Sequence, residues 1–290
     1  MSRKKPRPTP VPPEPLGSLF DAHTHLAATG ATDPASVAAV MDRAAAVGVR
    51  GVCTVGDGME ETEAAVRAAH SDDRVWAACA VHPTRVGELD AAARARLTEL
   101  AADPRCVAVG ETGLDRYWLE HDPGCPSLEV QEEALRWHVD LAVQVGKPLM
   151  IHNREADADL LRILDDAPRP PVVILHCFSS PFAVAEQALE RGWVLSFAGN
   201  VTFRRNEEMP RAAAVAPAGQ ILVETDAPYM TPEPFRGARN EPAFVGYTAR
   251  CIAGVRDEDP EEFGATVTEN ARRCYGIETL PAAGNAGVTE

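Results

Sequence analysis

The sequence predicts a closed (β/α)8 barrel, and three observations carry that expectation. Eight short apolar runs recur along the 290 residues, helical patterns with recognisable ends lie between many of them, and metal-binding residue types stand where several runs stop. A short continuous apolar run bounded by turn residues is the mark of a strand buried on both faces. Strands that alternate with helices imply parallel βαβ units, and eight such units close into a barrel whose active site lies at the C-terminal ends of the strands.

The strand candidates fall near residues 19–26, 51–56, 75–82, 106–112, 148–152, 171–177, 193–198 and 220–225. Asp33 is placed to cap a helix with Pro34 in its first turn, Val37, Val40, Met41, Ala44 and Val47 share one face, and Gly48 stops it. A longer helix is expected from Glu129 through Leu135, Val139, Ala142 and Val145 to Gly146, after which Lys147 and Pro148 open the next strand. No internal repeat points to a solenoid.

Composition sets the outer limits. At 45% hydrophobic, the chain buries a substantial core, and barrels of this size form one domain. Residues 1–18 are rich in Pro, Lys and Arg and lack the apolar run of a signal peptide, so a disordered tail is expected there. The barrel domain is expected over residues 19–277, with a flexible tail at 278–290. No stretch reaches the roughly 18 to 20 apolar residues that span a bilayer. Seven cysteines without a CxxC pair read as reduced thiols of a cytoplasmic protein. The net charge of -15 excludes coating of nucleic acid by bulk electrostatics. It leaves room for a nuclease, because bound divalent ions make a cleft locally positive.

Six residues outline the chemistry. His23 and His25 flank Thr24 at the end of the first run, and residues two apart on a strand share a face, so both imidazoles reach one ion. Glu111 follows Val107 to Val109, where a carboxylate is costly unless it is paired or bound to metal. His152 and His176 end successive runs and suit a second ion. Asp226 combines metal binding with acceptance of a proton from water. Glu224 is expected to hold a neighbouring side chain, Asp115 to orient a loop or a ligand, and Cys177 to face away from His176 into packing. His82 ends another run, and Asn200, Arg204, Arg236 and Arg239 lie in loops on the same side, where arginines suit phosphate or carboxylate. His70, His121 and His138 are assigned no chemistry.

The ordered set FDAHTH, VHP, GETGLD, MIHNREA, LHCFSS, SFAGNVTF, VETDAPYMTP, RGARNEP and TENARR resembles the TatD family of metal-dependent deoxyribonucleases, from about Phe20 to Tyr275. The resemblance implies a TIM barrel and a metal set of His23, His25, Glu111, His152, His176 and Asp226. It places His82, Asn200, Arg236, Arg239 and Asn240 near the substrate. One departure is Thr84, where many relatives carry a second histidine. Glu111 stands where related phosphotriesterases and ureases carry a carbamylated lysine.

The expected activity is two-metal hydrolysis of DNA phosphodiester bonds from single-stranded ends, with Zn²⁺, Mn²⁺, Co²⁺ or Mg²⁺. Asp226 and Glu111 are the expected catalytic residues. DNA is the expected partner, with no membrane and no obligate protein partner. The alternatives are hydrolysis of a small amide, ester or lactone at the same metals, and a scaffold without catalysis, which loss of a metal residue would betray.

Overall fold

The computed structural model describes residues 9–281. Eight parallel strands pair in sequence order: β1 (Leu19–Thr24), β2 (Val49–Thr54), β3 (Val75–Ala78), β4 (Cys106–Asp115), β5 (Leu149–Arg154), β6 (Val173–Leu175), β7 (Val194–Phe197) and β8 (Ile221–Val223). The ring closes just past β8. There the Asp226 N–H donates to the His23 carbonyl at 2.9 Å, and the His25 N–H to Ala227 at 2.8 Å. The fold is a TIM barrel, as expected.

Local chemistry sets the element ends. Asp33 accepts from the N–H groups of Ala35 and Ser36 and starts the helix Pro34–Ala45, a cap worth about 1 kcal/mol. Gly146 ends the helix Leu128–Val145 at φ 66°, a conformation glycine adopts without cost. The third strand is shorter than expected, because the chain leaves the sheet after Ala78 and Pro83 opens a 3-10 turn.

Two cores follow from strand alternation. One fills the layer between strands and helices, and the other fills the barrel with Phe20, Ala22, Trp76, Met150, Ile174 and Leu222 among its residues. At the N-terminal end the rings of Trp76 and Tyr275 lie 5.6 and 5.9 Å from Phe20, and the Tyr275 hydroxyl donates to Ala22. This aromatic floor seals the base.

The N-terminal tail differs from expectation. Residues 1–8 lie outside the described residues, whereas 9–18, though without helix or strand, are fixed against the barrel. Leu16 is buried and its N–H donates to Val47, Gly17 N–H donates to Glu261, Tyr247 donates to the Val11 carbonyl, and Arg250 donates to Glu14 and Pro15. One buried leucine contributes about 1.5–3 kcal/mol, enough to hold a short extended segment that composition alone marks as tail. At the other end Arg50 Nε donates to the Pro281 carbonyl, and residues 282–290 lie outside the described residues. No helix among the described residues is long and apolar enough to cross a membrane.

Candidate metal centre and the cavity above it

Strand irregularities aim the first candidate ligands. Phe20 and Ala22 point into the barrel, so strict alternation would turn His23 and His25 outward; a register shift between Asp21 and Thr24 reverses the phase. Bulges of this kind commonly re-aim side chains beside active sites. A second shift lies between Val109 and Thr112, around Glu111. The glycines flanking Glu111 are forced by close approach. A Cβ on Gly110 would meet Met150 Cβ at 2.4 Å, and one on Gly113, at φ 152°, would meet the His152 carbonyl oxygen at 1.8 Å.

Glu111 sits at the centre, 3% exposed, with its two oxygens turned to different histidine pairs. Oε1 lies 3.6 Å from His23 Nε2 and 3.4 Å from His25 Nε2. Oε2 lies 3.3 Å from His152 Nδ1 and 2.7 Å from His176 Nε2. Asp226 Oδ1 completes the first group, 3.7 Å from His23 and 3.4 Å from His25. All six expected residues therefore meet in one place.

The ring nitrogens that face away from Glu111 are also held. His25 Nδ1 lies 3.4 Å from Asp57, His152 Nε2 lies 2.9 Å from Asp115, and His176 Nδ1 lies 3.2 Å from Glu224. His23 Nδ1 instead meets the Met150 thioether at 3.1 Å. A partner on the outer nitrogen fixes which nitrogen is free to bind and orients the ring, as is usual for metal-binding histidines. Glu224 also accepts from the Cys177 N–H at 2.8 Å and from the Ser196 hydroxyl, and Asp115 caps the helix Arg116–His121. These are the holding and orienting roles expected of the two carboxylates.

The charges are mutually dependent. Burial opposes ionisation of Glu111, yet His176 and His23 outweigh it and hold its carboxyl well below the usual range. Burial also opposes protonation of His25, but Asp226 and Glu111 push it up to about 9. His176 is raised by Glu111 against the same opposition. Burial, reinforced by His176, holds His23 well below its ordinary value.

The donor set fits divalent cations. His23 Nε2 and His25 Nε2 lie 3.1 Å apart, and each lies 3.4–3.7 Å from Glu111 Oε1 and from Asp226 Oδ1. A tetrahedral shell with bonds of about 2.0–2.2 Å has edges of roughly 3.3–3.6 Å. Glu111 Oε2, His152 and His176 make the second group.

Above these groups opens a cavity of about 890 Å³ lined, among the described residues, by five carboxylates, Asp57, Glu111, Glu155, Asp157 and Asp226, and one guanidinium, Arg154. Four of its lining residues, Glu155, Cys177, Asp226 and Met230, have positive φ between 42° and 58°. Such conformations cost about 1–3 kcal/mol each and cluster where function over-determines the backbone.

Of the expected substrate residues, His82 and Asn200 line this cavity. Burial, with His152 beside it, lowers His82 to about 3, so its imidazole is neutral. Asn200 is buried, and its Oδ1 has no partner among the described residues. Arg236 instead lies over the Phe203 ring at 4.1 Å, and Arg239 donates to the Ala28 carbonyl; neither lines the cavity. Arg204 is exposed and also absent from the lining. Cys177 lines the cavity, contrary to the expectation that it packs away, because β6 ends at Leu175 and Cys177 turns at φ 42°. Arg154 was missed, although its spacing of two from His152 places both on one face of β5.

Residues 20–276 match the family model described as TatD related DNase. An uncharacterized metal-dependent hydrolase TatD of Mycobacterium tuberculosis is 51% identical, over 89% of this chain and 98% of that protein. A protein of Citrobacter rodentium named 3'-5' ssDNA/RNA exonuclease TatD is 32% identical over 84% of this chain and 93% of its own. Among solved structures, a TatD homologue of Escherichia coli K12 superposes with a TM-score of 0.80 at 24% identity, covering 89% of this chain and 98% of that one. The chain belongs to the TatD family of metal-dependent hydrolases.

Proposed function

We propose that this hydrolase cleaves phosphodiester bonds at single-stranded ends of DNA with two divalent cations. The observation that carries the reading is the division of Glu111, one oxygen toward His23 and His25 and the other toward His152 and His176. His23, His25 and Asp226 would hold one ion, His152 and His176 the other, and Glu111 both. Zn²⁺, Mn²⁺, Co²⁺ or Mg²⁺, when bound, supplies an activated water and neutralises charge on the phosphoryl oxygens.

The residues of the chain do the rest. Asp226 accepts the proton of the attacking water and returns it to the leaving oxygen. His82, neutral, donates a hydrogen bond to the phosphodiester, and the Asn200 amide faces the same space. Five carboxylates against one guanidinium repel a polyanion, so strand binding depends on the loaded cations. A cavity of about 890 Å³ takes a few unpaired nucleotides but not a duplex. The relatives of Citrobacter rodentium and Cronobacter sakazakii, 32% and 33% identical, are named 3'-5' exonucleases, which favours attack from 3′ ends.

The test is a digest of labelled single-stranded, blunt-duplex and covalently closed circular DNA with Mg²⁺ or Mn²⁺, beside a panel of small esters, amides and lactones. Shortening of the single strand from one end is the expected result. Rapid cutting of the closed circle would overturn the requirement for an end, and turnover confined to the small esters or amides would overturn the nuclease reading.

A further inference from the structure

Among the described residues, the aromatic side chains exposed by more than a third are Trp118, at 39%, and Tyr229, at 52%, and both line the mouth of the same cavity. Isolated apolar groups on a surface are ordinary, but the concentration of exposed rings at one opening is not. Beside Trp118 stands Arg154, the single guanidinium of the lining among the described residues. Arg154 pairs with no carboxylate among the described residues. Its Cζ instead lies 3.7 Å from the Tyr117 ring centroid and 5.9 Å from that of Trp118.

The placement of both groups is fixed from the metal centre outward. Asp115 Oδ2 lies 2.9 Å from His152 Nε2, while its Oδ1 accepts the Trp118 N–H at 2.8 Å. One carboxylate thus ties the indole's backbone to a histidine beside Glu111. Arg154 follows His152 by two residues on β5 and pairs in register with Asp115 on β4. Arg154 therefore ends β5, and Trp118 stands in the helix that opens directly after β4, both next to the reacting centre rather than on a distant loop.

Resting on the nuclease reading, we infer that Arg154 and Trp118 form a subsite for one unpaired nucleotide next to the bond that is cut. The guanidinium, stacked on Tyr117, keeps its outer N–H groups for a backbone phosphate oxygen, and the indole stacks on the base. Base stacking tolerates every sequence because each base offers a flat face, so the subsite selects unpaired over paired nucleotides without reading their identity.

The experiment uses the full chain loaded with Mg²⁺, and phosphorothioate dT10 as a slowly cleaved probe beside a phosphorothioate abasic strand of equal length. Affinity is read from the anisotropy of a labelled strand, and stacking from quenching of tryptophan emission. Wild-type protein should show saturable quenching with dT10 and little with the abasic strand. Trp118→Ala should weaken dT10 binding roughly tenfold and bring it close to that of the abasic strand. Trp118→Phe should keep most of the affinity while losing the quenching. Arg154→Ala should weaken both strands alike. Wild-type affinity for dT10 in Trp118→Ala, with unmodified dT10 still digested, would overturn the subsite alone. Base-dependent quenching without any cleavage of unmodified dT10 would uphold the subsite and sink the hydrolytic reading instead.

Discussion

Thr84 donates its backbone N–H to His82 Nδ1 at 3.2 Å, and its hydroxyl lies 2.7 Å from the same nitrogen. An amide N–H only donates, so Nδ1 is the acceptor and the imidazole proton resides on Nε2. With its pKa held near 3 by burial, His82 keeps that proton arrangement across the working range.

His82→Gln, whose amide places a donor near the Nε2 position, should retain more activity than His82→Ala, which should lose about tenfold or more in kcat/KM. Neither change should move the pH–rate profile between pH 5 and 8. A limb near 6.5 that vanishes in both variants would show that His82 titrates after all.

Under the proposed two-cation centre, Glu111→Ala should remove measurable turnover and lower bound metal below two ions per chain, because the two cations would then face each other without the carboxylate between them. Metal analysis of the purified variant decides this. Full metal content together with wild-type turnover would remove Glu111 from the centre.

Under the proposed mechanism, Asp226→Asn would keep shape and a weak metal contact but no longer accept the water's proton. Turnover should fall by roughly 10² or more while substrate binding changes little. An unchanged rate and pH profile would leave Asp226 only a structural role.

A separate pH dependence comes from His138, buried on the helix Leu128–Val145, where Nε2 accepts from Val81 at 3.3 Å and Nδ1 lies 2.8 Å from the Ala134 carbonyl. Burial lowers it from 6.5 to about 4. Its folded value lies below its unfolded one, so the stability tied to the neutral ring is complete above about pH 6.5 and is lost as pH falls toward 4. Urea midpoints should drop across that window in the wild type and drop less in His138→Gln. Parallel curves would assign the acid sensitivity elsewhere.

Much of this was legible in the chain because buried parallel strands write themselves as apolar runs, and a polar residue that ends such a run points to the barrel mouth. His152 and His176 were found on that signal alone. The structure brings His23 and His25 together, but not on the regular strand that was expected. Alternation from Phe20 would have turned both outward, and only the register shift beyond Asp21 brings them in. Cys177 was misread for a related reason, since alternation ends where β6 ends, at Leu175. The arginines show a different limit. Arg236 and Arg239 sit in loops whose course no periodicity fixes, whereas Arg154 lies two residues from the candidate ligand His152 and carried no expectation. The segment 9–18 was hidden by its composition, because one leucine and a few main-chain hydrogen bonds outweigh what many prolines imply.

Phe20, Trp76 and Tyr275 make the barrel a blind socket, not a tube. A strand end that enters has no exit ahead of it, so each freed nucleotide leaves past the chain it came from. Threading, the usual route to digesting thousands of bonds in one encounter, is closed to such an architecture. Under the proposed activity, trimming should be distributive: with substrate in large excess, early samples should hold strands shortened by one or two residues, and a mixture of intact strands with fully digested ones would contradict it.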